Sequence, residues 1–192
     1  VTLVIAEWAS IVSVAVAVLI VVSFYVSWRA GRLDRMHTRV ETAHAALDAA
    51  LLRRGAAVLE LASRRELEPA SAVLLADAAA QARRARTEDG GDGERELAES
   101  NLSRALRAVV DQPGFREALS ASDDSDGDEL LAEVEAAAKQ VHLARRFYND
   151  AVARTREARA SRLVRVTRLA GHARLPVFFD MDDEPPRFDP LG

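Results

Sequence analysis

The stretch Leu33-Asp-Arg-Met36-His-Thr-Arg-Val40-Glu-Thr-Ala43-His-Ala-Ala-Leu47-Asp-Ala-Ala50-Leu51-Leu-Arg-Arg54-Gly-Ala-Ala-Val58-Leu-Glu-Leu61 decides the fold. Its apolar positions, Leu33, Met36, Val40, Ala43, Leu47, Ala50 or Leu51, Val58 and Leu61, recur at alternating steps of three and four. That is a heptad seam lasting about four repeats, interrupted only by Arg54. A helix with one face turned to a core follows.

Upstream, Trp8 to Trp28 form an uncharged, overwhelmingly apolar run. At ~1.5 Å per helical residue the run covers roughly 30 Å, the hydrocarbon thickness of a bilayer. The expectation is a transmembrane helix over 8–28, a short extracytoplasmic N-terminus over 1–7, and continuation into the first cytoplasmic helix with Gly31 as a joint. A cleaved signal peptide fits less well. Glu7 is the only charge ahead of the run, the run exceeds the usual ~7–15 apolar residues, and 23–29 offers no A-x-A-type cleavage site. Arg29, Arg32, Arg35 and Arg39 follow the span and no basic residue precedes it, which predicts the N-terminus outside and the rest cytoplasmic. Trp8, Tyr25 and Trp28 lie near the span's ends, where amphipathic rings favour the interface.

Downstream, Pro69 is placed to open a second helix over 69–86. Glycines and aspartates make 87–93 a loop. A third helix starts near Glu94 and buries Leu97 or Ala98, Leu102, Ala105 and Val109. Pro113-Gly114 interrupts it, and Phe115 to Ser120 add a last turn or two. After an acidic loop at 121–127, a fourth helix runs from Asp128 to Arg159 with Leu130 or Leu131, Val134, Ala137 or Ala138, Val141, Ala144, Tyr148 and Val152 on one stripe. Asp128, Glu129 and Glu133 complement its dipole. The predicted fold class is all-α: an N-terminal transmembrane helix followed by an up-and-down four-helix bundle over 29–160. A basic and aromatic segment then covers 161–179, and 180–192 reads as a disordered acidic tail.

The 192 residues include no cysteine, which excludes disulfides, thiolate metal sites and cysteine nucleophiles. Lys139 is the only lysine among 26 basic residues, a bias that suits a GC-rich genome, as an initial Val1 suits a GTG start. The net charge of −4 gives no global attraction to nucleic acid.

Leu143-Ala-Arg-Arg-Phe-Tyr-Asn-Asp-Ala-Val152 resembles the fourth-helix signature of the LemA family, an Arg-x-Tyr-Asn-x-x-Val core. The apolar N-terminal run, the Arg53-Arg54 pair, Pro113 before Phe115 and the late Phe178-Phe179-Asp180 agree with that family. The matched signature residues are Arg53, Arg54, Arg145, Arg146, Tyr148, Asn149 and Val152. Two departures point to a divergent branch. Gly55-Ala-Ala-Val-Leu59 stands where the family often has Pro-Asn-Leu, and Arg154-Thr-Arg-Glu157 where it usually has an Asn. The resemblance implies a membrane-anchored, LemA-like helical bundle with no established catalytic activity.

Other motifs are weak. Asp124, Asp126, Gly127 and Glu133 fit positions of a calcium-loop frame starting at Ser122, but Ser122 replaces the first aspartate and Glu129 stands at an apolar position. His37 and His44 are two helical turns apart, too far to share a metal alone, and His142 could join them only across the bundle. No ferritin-like Glu-x-x-His pair, phosphate loop or Gly-x-Ser-x-Gly elbow occurs. The expectation is no enzyme, no metal and no cofactor. Tyr148 and Asn149 read as packing plus an interhelical hydrogen bond. Arg54 reads as a packed stem whose guanidinium reaches the edge or a carboxylate.

The most suggestive segment is basic. Arg154, Arg156, Arg159, Arg162, Arg165, Arg168 and Arg174 interleave with Leu163, Val164, Val166 and Leu169, before Leu175-Pro-Val-Phe-Phe179. An up-and-down topology returns this segment toward the start of the first helix. The expected membrane-surface set is therefore Arg29, Arg32, Arg35, Arg162, Arg165, Arg168, Phe178 and Phe179. The competing expectation is that Phe178 and Phe179 fold back onto the bundle. The predicted partners are the lipid bilayer and an unidentified membrane or cytoplasmic protein. Nucleic acid is not expected, because stacking aromatics are missing from the basic segment. The leading functional expectation is a non-catalytic scaffold at the inner membrane face; the alternative is a sensor of anionic lipid or envelope stress. The oligomeric state is open.

Overall fold

The computed structural model describes residues 2–87, 91–120, 126–160 and 174–186, and of these the side chains of all but 2–7, 9–11, 29, 30, 33, 118, 120 and 126. The described residues form helices, turns and extended segments, with no strand pairing among them. The helices are α1 (Thr2–Ala62), α2 (Pro69–Thr87), α3 (Asp92–Val110), α4 (Phe115–Ser120) and α5 (Asp126–Ala160).

α1 does not break at Gly31. A glycine inside a helix costs only about 1 kcal/mol relative to alanine, too little to interrupt a 61-residue element. α1 stops where the Ser63 N–H donates to Leu59 O and Glu60 O, both at 3.1 Å, and the Ser63 hydroxyl donates to Glu60 O at 2.7 Å. Pro69 opens α2 as its first residue, where its missing N–H costs nothing. Ser71 Oγ donates back to Glu68 Oε2 at 3.1 Å. Between α3 and α4, Gly114 adopts φ +82°, a left-handed conformation that glycine reaches without a Cβ penalty. Gly127 has a different reason to be glycine. A Cβ there would stand 2.9 Å from the Leu119 carbonyl oxygen, so this residue lets the end of α4 meet the start of α5. The glycine of the calcium-loop frame thus has a packing role, and Asp124 lies outside the described residues.

Two contacts fix α1 against α5 in antiparallel register. Arg53 Nη1 donates to Gln140 Oε1 at 3.2 Å, and the His44 ring meets Tyr148 edge-on at 5.4 Å. α3 runs parallel to α1, because Asp48 pairs with Arg95 and Arg54 with Glu99. The four long helices therefore alternate in direction, as an up-and-down bundle requires. They are unequal. α2 and α3 have 19 residues each, about 28 Å, whereas α5 has 35, about 52 Å.

That inequality produces two cores. The far core, beyond Arg54, gathers Val58, Leu61, Leu75, Leu102, Leu106, Val109, Phe115, Leu119 and Val134 from all five helices. The near core has Leu47, Ala50 and Leu51 of α1 facing Val141, Tyr148 and Val152 of α5. Phe179 and Met181 complete it, both on the extended segment 174–186, here the strap. The acidic tail expected to be disordered from Asp180 is thus ordered against the bundle over 180–186. Asp182 and Asp183 pair with Arg107 and Arg145, which offsets part of the charge that composition alone reads as disorder.

Over Val12–Trp28 the apolar side chains of α1 are exposed, Leu19, Val21 and Phe24 each at 66% or more, with Val26 half-buried. Among the described residues no helix is long and apolar enough to cross a membrane.

Candidate strap-binding groove

A buried ionic layer separates the two cores. Arg54, which interrupts the heptad seam, is 2% exposed and Glu99 is fully buried. Arg54 Nη2 donates to Glu99 Oε2 at 2.7 Å and to Glu99 O at 3.2 Å, while Nη1 donates to Ser103 Oγ at 2.7 Å. Arg86 Nη2 donates to the other carboxylate oxygen at 2.8 Å. Burial pushes the Arg54 guanidinium below its ordinary value, and the Glu99 carboxylate opposes that shift. One carboxylate thus ties α1, α2 and α3 together through two arginines. Sequence reading allowed Arg54 a carboxylate but did not single out Glu99 or Arg86.

The strap lies between α3 and α5 and is read along both edges. On the α5 side, Asn149 Nδ2 donates to Phe179 O at 3.1 Å, and Phe179 N donates to Asn149 Oδ1 at 3.0 Å. The carboxamide supplies one donor and one acceptor, as a neighbouring strand would. Tyr148 OH donates to Val177 O at 2.8 Å. Burial first, then the charges of Asp92 and Asp48, push this phenol upward, so it stays a protonated donor. On the α3 side, Asp180 N donates to Glu96 Oε1 at 2.8 Å and Asp182 N to Ser100 Oγ at 3.0 Å.

Side chains complete the grip. Phe179 and Met181 are buried, and the Arg95 guanidinium lies 5.5 Å from the centre of the Phe179 ring. Arg107 of α3 holds Asp182 through two bonds, 2.9 and 2.5 Å, and donates to Glu184 O at 2.7 Å. Arg145 of α5 holds Asp183 through two more, 2.6 and 3.0 Å, with His142 Nδ1 3.1 Å from the same carboxylate. The Arg107 fork keeps Asp182 below the usual carboxylate range. Where the strap begins, Arg159 Nη1 donates to Arg174 O and Arg156 Nη1 to Pro176 O, at 3.0 and 3.3 Å. The Arg156 guanidinium also lies 5.3 Å from the Phe178 ring centre.

The structure brings together Arg145, Tyr148, Asn149, Val152 and Phe179 of the sequence-derived sets. The Tyr148-Asn149 bonds run to the strap backbone, not between helices as expected. Phe179 is corrected as a membrane-surface residue: at 6% exposure it belongs to the near core, packed with apolar residues of α1 and α5 and with Arg95 over its ring. Phe178 stays 42% exposed. Arg32, Arg35 and Arg146 are exposed on the helices, and Arg53 is exposed on Gln140. The side chain of Arg29 and all of Arg162, Arg165 and Arg168 lie outside the described residues. His44 approaches Asp48 at 3.4 Å, and no group of three or more metal-ligating side chains occurs among the described residues.

No family model, curated protein or solved structure matches this chain. The groove therefore has to be read from its own chemistry. It offers paired backbone hydrogen bonds, two apolar seats and two arginine forks, which is the equipment of peptide recognition.

Proposed function

We propose that this chain is a membrane-anchored helical-bundle protein of the LemA type, acting as a non-catalytic scaffold at the cytoplasmic face of the membrane. The observation that carries this reading is the 21-residue uncharged run Trp8–Trp28, continuous in one helix with the bundle and followed by Arg29, Arg32, Arg35 and Arg39. Among the described residues its exposed apolar side chains are not part of either core, and burying a valine, leucine, isoleucine or phenylalanine of the run in hydrocarbon is worth about 1.5–3 kcal/mol. Arg145, Tyr148 and Asn149, the residues that carry the family resemblance, all bind the strap. Alkaline carbonate extraction with protease mapping tests the anchor. The expected result is a membrane pellet that resists extraction, with the bundle protected in spheroplasts. Release by carbonate overturns the reading.

A second reading, contact with anionic lipid, is favoured by the α1–α5 register. It sets Arg156 and Arg159 level with about residues 33–37, beside Arg32 and Arg35. Vesicle flotation of the full chain discriminates: salt-sensitive enrichment on anionic over neutral vesicles supports lipid sensing, and equal recovery rejects it.

A further inference from the structure

We propose that the strap is an electrostatic latch on the buried ionic layer: seating Asp183 supplies negative charge that the helices lack, so lifting the strap loosens α1 at Arg54. The helices carry more buried arginine than they can pair. The side chains of Arg54, Arg86, Arg95, Arg107 and Arg145 are none of them more than 21% exposed. Among the described residues, Glu99 pairs with Arg54 and Arg86, and Asp48 with Arg95. Arg107 and Arg145 pair with the strap, through Asp182 and Asp183. Five guanidinium groups thus share two carboxylates of the helices when the strap is away, and four carboxylates when it is seated. Desolvated charges of one sign repel more strongly than exposed ones, because little solvent screens them.

Asp183 is the strap carboxylate placed to act on the layer. It is buried, whereas Asp180 and Glu184 are exposed and Asp182 is half-buried. Arg145 fixes it through two bonds, at 2.6 and 3.0 Å. Burial pushes the Arg54 guanidinium down; Asp183 opposes that shift together with Glu99, and Arg86 adds to it. The strap and the layer also share one support. Residues 96–107 of α3 bond the strap through Glu96, Ser100 and Arg107, and the same stretch holds Arg54 through Glu99 and Ser103. Lifting the strap removes an attraction on Arg54 and leaves Arg145 without its carboxylate. The layer joins the two cores, so the strap sets how firmly they are joined.

Amide exchange in the full-length chain in detergent tests the latch, read at residues 54–58 of α1, where the layer meets the far core. Asp183→Asn is expected to lower their protection about tenfold. Asp180→Asn, which removes an exposed charge of the strap, is expected to change it by less than about twofold. In an Arg54→Met, Glu99→Leu background an apolar pair replaces the buried ions, and there Asp183→Asn is expected to act by less than about twofold. Equal losses in the two backgrounds, an equal loss from Asp180→Asn, or no loss from Asp183→Asn overturns the proposal. If the double background loses its helical circular dichroism, the comparison of Asp183→Asn with Asp180→Asn decides, with the same outcomes.

Discussion

The far half of the bundle and the near half solve the same problem with different materials. In the far half, five helices supply leucines and valines that exclude water, and the stabilisation is spread over many side chains of similar size. In the near half only α1 and α5 span the full length. The third wall is an extended segment several of whose backbone groups bond to side chains of α3 and α5. An apolar wall tolerates substitution of comparable volume. A wall of matched polar contacts does not, because each lost partner strands a desolvated group. The near half is the part that pH, salt or a competing ligand can open.

Four expected outcomes would break or sharpen that contrast. The largest belongs to the layer between the halves. Glu99→Ala strands Arg54 in the interior and should cost about 3–5 kcal/mol in denaturant unfolding; a loss under 1 kcal/mol would show that the layer is not buried. In the far half, Leu102→Ala should cost about 2–5 kcal/mol and lower the global transition, helices included. In the near half, Asn149→Ala should cost about 1–3 kcal/mol. Its signature is local: faster amide exchange and proteolysis over 174–186, with helical circular dichroism unchanged. Loss of the whole helical signal would erase the distinction between the halves.

The smallest effect is one of acidity. Arg107 depresses Asp182, so this contact stabilises the fold above the ordinary aspartate value near 4 and is lost as pH falls through the lower folded value. Strap proteolysis should rise on acidification before the helices melt, and Asp182→Asn should remove that early step. Coincident loss of strap and helices would show that the strap has no separate stability.

Heptad spacing exposes the far half directly, since Val58, Leu61, Leu102, Val109 and Val134 all stand on stripes visible in the sequence. It resolves Leu97 or Ala98 less well; Ala98 is buried and Leu97 is 59% exposed. The reason is that Glu99 and Ser103 share the buried face, and polar residues there blur the apolar period. Arg54 on the seam is the one local signal of the ionic layer, because a buried guanidinium demands a carboxylate somewhere. The strap has no such signal. Its arginine–aspartate pairs are 75 and 38 residues apart, and an extended chain bound by side chains has no periodicity of its own.

The unbroken passage of α1 through Gly31 makes the molecule a lever. From Trp28 to Ala62 the shaft measures about 50 Å, with α5 lying along it as a brace. A tilt of about 10° imposed at the Trp28 end would swing the far tip by roughly 9 Å, with no hinge at Gly31 to absorb it.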